Sequence, residues 1–224
     1  MSDPDPLGTF DGRETLSDRL YAHLETAIID GAIRPGERIH ADEVAERFRV
    51  SRIPVREAFR ALAAEGWLEI RPRRETVVAS RSERELRELA HARRVLGAEV
   101  AGLAALNRTD HDLVVLDRLV EENGELLDAG ELAALSRNNE AFHVAIAVAG
   151  HNRVLEDLVR RTEKRNRWYF EASLPPDGPV TTREHRELIE AIRAGSTERA
   201  TAIATRHLAR TPRPAADLGL DAVH

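Results

Sequence analysis

At 224 residues the chain is long enough for one large domain or two small ones, and 42% hydrophobic with 32% charged residues reads as a soluble globular protein. A formal net charge of −6 excludes a general basic coat, so affinity for a polyanion has to be built locally from a few side chains. The absence of cysteine excludes disulfides, thiolate metal sites and cysteine nucleophiles; with no long apolar run and no leader-like start, a cytoplasmic protein without a membrane partner is expected.

Residues 1–12 are polar, rich in Asp, Pro and Gly, and expected to be flexible. From Thr15 to Ile29 the set Leu16, Leu20, Leu24, Ala27 and Ile28 follows the helical period. Asp30-Gly31 ends that helix and Arg34-Pro35-Gly36-Glu37 reads as a tight turn. A second short helix over 41–48 buries Val44, Ala45 and Phe48. A third follows Arg49-Val50, with Ser51 as N-cap, Pro54 in the first turn and Gly66 as its stop. Trp67–Ile70 and Thr76–Val78 read as two strands around the tip Arg71–Glu75. Three helices and a hairpin over residues 13–80 describe a winged helix-turn-helix.

Beyond Ser82 the strand signals stop. Helical patterns cover roughly 83–106, 110–128, 131–149, 152–170, 182–194 and 196–210, divided by Asn107–Thr109, Gly130, Gly150 and Leu174–Pro179. The expected fold is therefore mainly α: the winged helix, an all-α antiparallel six-helix bundle over 81–210, and a flexible tail over 211–224.

Val55, Ala58, Phe59 and Leu62 form a core stripe on the third helix, and Arg52, Arg56 and Arg60 recur every four residues along a neighbouring face. Arginine suits recognition because its planar fork donates twice to guanine or to phosphate. Ser51 and the helix N-terminus suit a phosphate, and Arg71, Arg73 and Arg74 at the hairpin tip suit phosphates or the minor groove. The competing reading is a solvated face with Arg47, Arg49, Arg52, Arg56 and Arg60 paired to Glu43, Glu46 or Glu57; Arg38 reads as a local surface charge.

Of nine histidines, three lie on inward helical faces: His143 with Ile146, His185 with Leu188, Ile189 and Ile192, and His207 with Ala200, Ile203 and Ala204. Each alone reads as a core histidine; together they could converge and hold a divalent transition metal. Trp168, Tyr169 and Phe170 read as core or dimer packing. The run Arg160, Arg161, Lys164, Arg165 and Arg167 reads as surface or effector-domain charge.

The stretch IIDGAIRPGERI…DEVAERFRVSRIPVREAFRALAAEGWLE resembles the N-terminal domain of GntR-type bacterial transcription regulators, and NNEAFHVAIAVAGHNRVL, EHRELIEAIRAG and ATRHL resemble the ligand-sensing domain of its FadR-like branch in the shorter, VanR-like form. The resemblance implies that Arg52 and Arg56 read operator DNA, with Arg49 and Ser51 on the backbone and Arg73 and Arg74 on the wing. Glu75 stands where the family has a glycine and opposes the wing contact, and His40 replaces a better helix cap. In metal-binding members an aspartate precedes the first of three histidines; here Asn139 takes that position before His143, His185 and His207. The resemblance thus implies a divalent transition metal such as zinc or nickel, held less tightly, or a metal-free pocket in which Asn139 bonds the effector. Arg93 sits at an arginine position turned toward the effector, with a surface role or an interhelical ion pair as its alternatives and Arg94 as its substitute, and Gly97 replaces an acidic residue. The implied protein is a homodimeric repressor on a short inverted repeat of double-stranded DNA, controlled by a small carboxylate or sugar acid. Its rivals are a metal-dependent enzyme acting on a small acid and an architectural DNA binder without an effector.

Overall fold

A computed structural model describes residues 14–71, 75–170 and 178–210. The readings of the two termini and of Arg73 and Arg74 fall outside the described residues. The chain divides into two compact units, one built from residues up to Ile28 with Ile33–Ala79, the other from Ile29–Ala32 with the residues from Ser80 onward.

The first unit contains α1 (Leu16–Ile29), α2 (Ala41–Phe48), α3 (Arg52–Ala64) and a hairpin of β1 (Leu68–Arg71) and β2 (Glu75–Val78). Its core holds Leu20, Leu24 and Ile28 of α1, the full stripe Val55, Ala58, Phe59 and Leu62 of α3, and Trp67, Val77 and Val78 of the hairpin. Three members of the expected apolar set are not core: Leu16, in the first turn of α1, is 44% exposed, Ala27 is half-buried, and Phe48 is half-buried with its ring edge-on to His23. At Arg34–Glu37, Glu37 N–H donates to Arg34 carbonyl and Gly36 has φ +78, the left-handed value that the third residue of a Pro-Gly turn requires. That turn lays residues 36–39 beside β2, through Gly36 N–H to Val78 carbonyl, Val78 N–H to Glu37 carbonyl and Ile39 N–H to Thr76 carbonyl. The wing thereby gains a third, short edge that alternation alone did not reveal. Ser51 has N-cap backbone angles but makes no side-chain cap bond, correcting its expected capping role; its hydroxyl stays exposed. His40 likewise provides no cap.

The second unit contains α4 (Glu83–Asn107), α5 (Asp110–Ala129), α6 (Leu132–Ala149), α7 (Arg153–Phe170), α8 (Gly178–Arg193) and α9 (Thr197–Ala209). Helix α8 starts four residues before the expected 182, because Pro179 is accommodated in its first turn, where a missing N–H costs nothing. Local chemistry sets the other boundaries: Ser82 accepts from Glu85 N–H, Thr109 and Asp112 form a reciprocal capping box, and Gly130 ends α5 with φ +72. Helix α4 packs against α6, α7, α8 and α9 around Val100, Ala101, Ala104, Leu116, Phe142, Ile146, Leu188 and Ile192. It approaches α9 closely through glycines: a Cβ at Gly102 would stand 2.8 Å from Thr201 Oγ1, and one at Gly97 would stand 2.2 Å from Leu208 Cδ1. Among the described residues no helix is long and apolar enough to cross a membrane.

Candidate functional site

The α3 face next to its core stripe carries Arg52, Arg56 and Arg60, all exposed like the N-cap Ser51, with exposed Arg49 in the left-handed conformation (φ 54) that turns the chain from α2 into α3. Arg52 Nε lies 2.8 Å from Asp42 Oδ1, with both side chains 62% exposed. This partner was not among those expected for the arginine face, and an exposed pair is worth at most about 1 kcal/mol, so it orients Arg52 without locking it away. Arg38 meets Glu75 at 2.5 Å. The acidic residue at the wing thus carries its own cation, and Arg38 is more than a stray surface charge. Ile53, at 69% exposure beside Arg52, was missed by sequence reasoning. Its signal was an apolar residue in the first turn of α3 lying off the Val55–Phe59–Leu62 stripe.

In the bundle, His143 on α6, His185 on α8 and His207 on α9 converge. His207 Nε2 lies 3.2 Å from His185 Nε2 and 3.4 Å from His143 Nε2. Phe142 stacks on the His185 ring at 4.0 Å and fixes its plane. Burial above all pushes the pKa values of His143 and His185 well below the ordinary range, and His207 is lowered for the same first reason. The three imidazoles are therefore neutral at pH 7, the state that ligates a metal. His207 Nδ1 lies 3.0 Å from Glu184 Oε2, so its proton sits there and its Nε2 presents a lone pair to the cluster. One lone pair cannot accept linear bonds from both other Nε2 atoms. His185 Nδ1 is buried without a hydrogen-bond partner. Three nitrogens bound tetrahedrally to one zinc-like ion stand about 3.4 Å apart, so donor type, protonation and spacing all fit a divalent transition metal.

Glu184 is 4% exposed and receives Arg210 as well as His207. Burial would raise its carboxyl, but the bonds from His207 and Arg210 hold it below the ordinary value. Sequence reasoning missed it, although its position directly before His185 put it on the same helix as one of the three histidines. Glu184→Gln is expected to weaken zinc binding about 10–100-fold, the usual cost of losing a carboxylate behind a ligating histidine. Competition against a chromophoric chelator measures it, and unchanged affinity would remove Glu184 from that role.

Asn139 lies one turn before His143 on α6 and is half-buried; among the described residues no hydrogen bond anchors its amide. Arg93 is 6% exposed, and its Nε and Nη2 each donate over 2.8 Å to the two oxygens of Glu163 on α7. The interhelical ion pair, one of the roles considered for Arg93, is therefore formed. Its charge also helps to keep His143 and His207 neutral. Beside His143 and His207 lies a cavity of about 10 Å³, lined also by Gly97, Val100, Ile146, Val159 and Leu208 among others. That is room for about one water or ion, not for an organic acid. Leu208 fills the space that Gly97 leaves. The basic run on α7 is not merely surface charge: Arg165 lies over the buried Trp168 ring and pairs with Glu85, and Arg167 pairs with Glu140. Trp168 and Tyr169 are fully buried.

Comparison with known proteins follows the same division. Residues 16–78 match the gntR family of bacterial regulatory proteins, and residues 88–210 match the FCD domain. The chain is 28% identical over 185 residues to the uncharacterized HTH-type transcriptional regulator YdhC of Bacillus subtilis, covering 81% of this chain and 83% of that one. It is 26% identical over 199 residues to the HTH-type transcriptional repressor RspR of Escherichia coli, covering 87% and 86%. The solved structure of E. coli McbR/YncC superposes with a TM-score of 0.77 over 88% of this chain and 95% of that one; at 24% identity it speaks for the fold alone. An exposed arginine face on a winged helix, followed by an FCD bundle, identifies the chain as a GntR-family transcription regulator.

Proposed function

We propose that the protein is a cytoplasmic, homodimeric repressor that reads an inverted repeat in double-stranded DNA and is released by a small carboxylate or sugar acid bound in the bundle. Arg52 and Arg56 read base edges. Arg49 and Ser51 hold the phosphates, Arg73 and Arg74 extend the contact from the wing, and Ile53 offers an apolar surface to a thymine methyl. Two readers on one duplex raise effective concentration and so favour a palindromic site. His143, His185 and His207 hold a divalent transition metal, zinc or nickel, with Asn139 as a neutral fourth donor or as a hydrogen-bond partner of the effector. Bound there, the metal supplies a positive centre for an anion.

The observation that carries this reading is the convergence of three neutral, buried imidazole nitrogens at 3.2 and 3.4 Å in a chain that also presents an exposed arginine helix. The RspR similarity supports repression as its sign. Against the enzyme alternative, the buried carboxylates of the bundle are engaged, Glu163 by Arg93, Glu184 by His207 with Arg210, and Asp112 by Thr109 and His151, which leaves none of the three free as a general base. The 10 Å³ cavity beside the histidines is the one observation behind a second reading, a DNA binder that answers to no effector, and a cleft of about 550 Å³ lined by His111, Arg137, Glu140, Arg160 and Arg167 on the same bundle weighs against it. Genomic fragments selected by the zinc-loaded protein decide between the two. An inverted repeat released by at least one small carboxylate in a gel shift is expected; retention unaffected by every carboxylate tested would leave the effector-independent binder.

A further inference from the structure

The chamber beside the histidines is small, at about 10 Å³, and Arg93, the cation nearest to it in the fold, is already paired. Arg93 lies one helical turn before Gly97 on α4, and Glu163 lies one turn beyond Val159 on α7; Gly97 and Val159 both line the chamber. The Arg93–Glu163 pair is therefore the next layer of the same space. Both of its side chains are nearly inaccessible, at 7% and 5% exposure. The fork is satisfied by two parallel bonds of 2.8 Å, the geometry in which arginine takes up a free carboxylate. Arg93 is also close enough for its charge to act on His143 and His207.

We propose that Glu163 is an internal stand-in for the effector's carboxylate, holding Arg93 until a soluble carboxylate takes its place. The inference rests on the carboxylate-effector reading given above. Replacing one carboxylate by another leaves Arg93 with the same two bonds, so no buried guanidinium is stranded during exchange. Release of Glu163 also removes a buried tie between α7 and α4 next to the chamber, where the 10 Å³ present has to widen to admit an acid. Molecules of similar size without a carboxylate cannot make the exchange. The ion pair thus selects by charge as well as by shape.

The test is calorimetric titration of zinc-loaded full-length wild type and Glu163→Gln with acetate, succinate and citrate, and with glycerol as a neutral probe. Glutamine keeps the size of the side chain but competes for Arg93 without charge. At least one carboxylate is expected to bind the variant tenfold or more tightly than wild type, with glycerol unchanged. In wild type, saturating carboxylate is expected to speed hydrogen–deuterium exchange in α7 around Glu163, and this measurement decides the matter if the variant fails to fold. Carboxylate binding by wild type with no gain in the variant and no change in α7 overturns the exchange and leaves the effector reading standing. An equal gain for glycerol also overturns it, because the variant would then have opened space and not freed a charge. If neither protein binds any of the acids, the carboxylate reading fails and the exchange fails with it.

Discussion

Replacing Arg52 and Arg56 together with alanine is expected to abolish specific retention of operator DNA while leaving the fold and subunit association intact. A bidentate arginine–base contact is worth about 1–3 kcal/mol of discrimination, so loss of two amounts to roughly 2–6 kcal/mol if they act independently, on the order of 30-fold to 10⁴-fold in affinity. The residues stand one turn apart on α3, so some coupling between them is expected. Stability should barely move. Both side chains are exposed, the Arg52–Asp42 pair is a surface pair, and alanine is a better helix former than arginine. Fluorescence anisotropy on the selected operator and on a scrambled duplex separates base reading from phosphate attraction. The double variant should bind both duplexes alike, with the weak, salt-sensitive affinity of the scrambled one. Unchanged preference for the operator would sink the assignment of base reading to this helix.

How much of this was legible beforehand depends on the range of the physics involved. The α3 stripe of Val55, Ala58, Phe59 and Leu62 was readable because burial on a helix repeats every few residues, and all four are buried. The same periodicity placed His143, His185 and His207 on inward faces; their meeting point, 42 and 22 residues apart in sequence, was not contained in any local pattern. Glu163 and Glu184 were missed for a related reason. A carboxylate on an amphipathic helix looks like solvent-facing charge until the cation it faces is known, and Arg93 lies seventy residues from Glu163. Gly97 looked like the loss of a functional acid. Its physical role is steric: without a Cβ it admits Leu208, which lines the chamber beside it. The late start assigned to α8 came from treating Pro179 as a breaker when its place was the first turn.

Zinc added to metal-free protein is expected to raise the melting temperature of the bundle, and the His143→Ala/His185→Ala double variant is expected to lose that increment. Free metal at about 100 times its Kd stabilises the folded state by about 2.7 kcal/mol, which for a chain of this size corresponds to a rise of roughly 5–10 °C. The comparison must be of increments, not of absolute melting temperatures. Both histidines are buried, and His185 stacks on Phe142, so the double variant starts from a less stable fold. The histidines carry no proton at pH 7 that a metal would need to displace, which favours binding. The neutral amide at Asn139 works the other way, since it brings no charge to the cation. Asn139→Asp is accordingly expected to enlarge the zinc increment if that side chain completes the donor set, and to leave it unchanged if Asn139 serves only the effector. Elemental analysis of untagged protein as purified provides the independent check, with metal expected in wild type and absent from the double variant. A wild type that neither carries metal nor gains stability from zinc, nickel or manganese would leave the three imidazoles as a polar core.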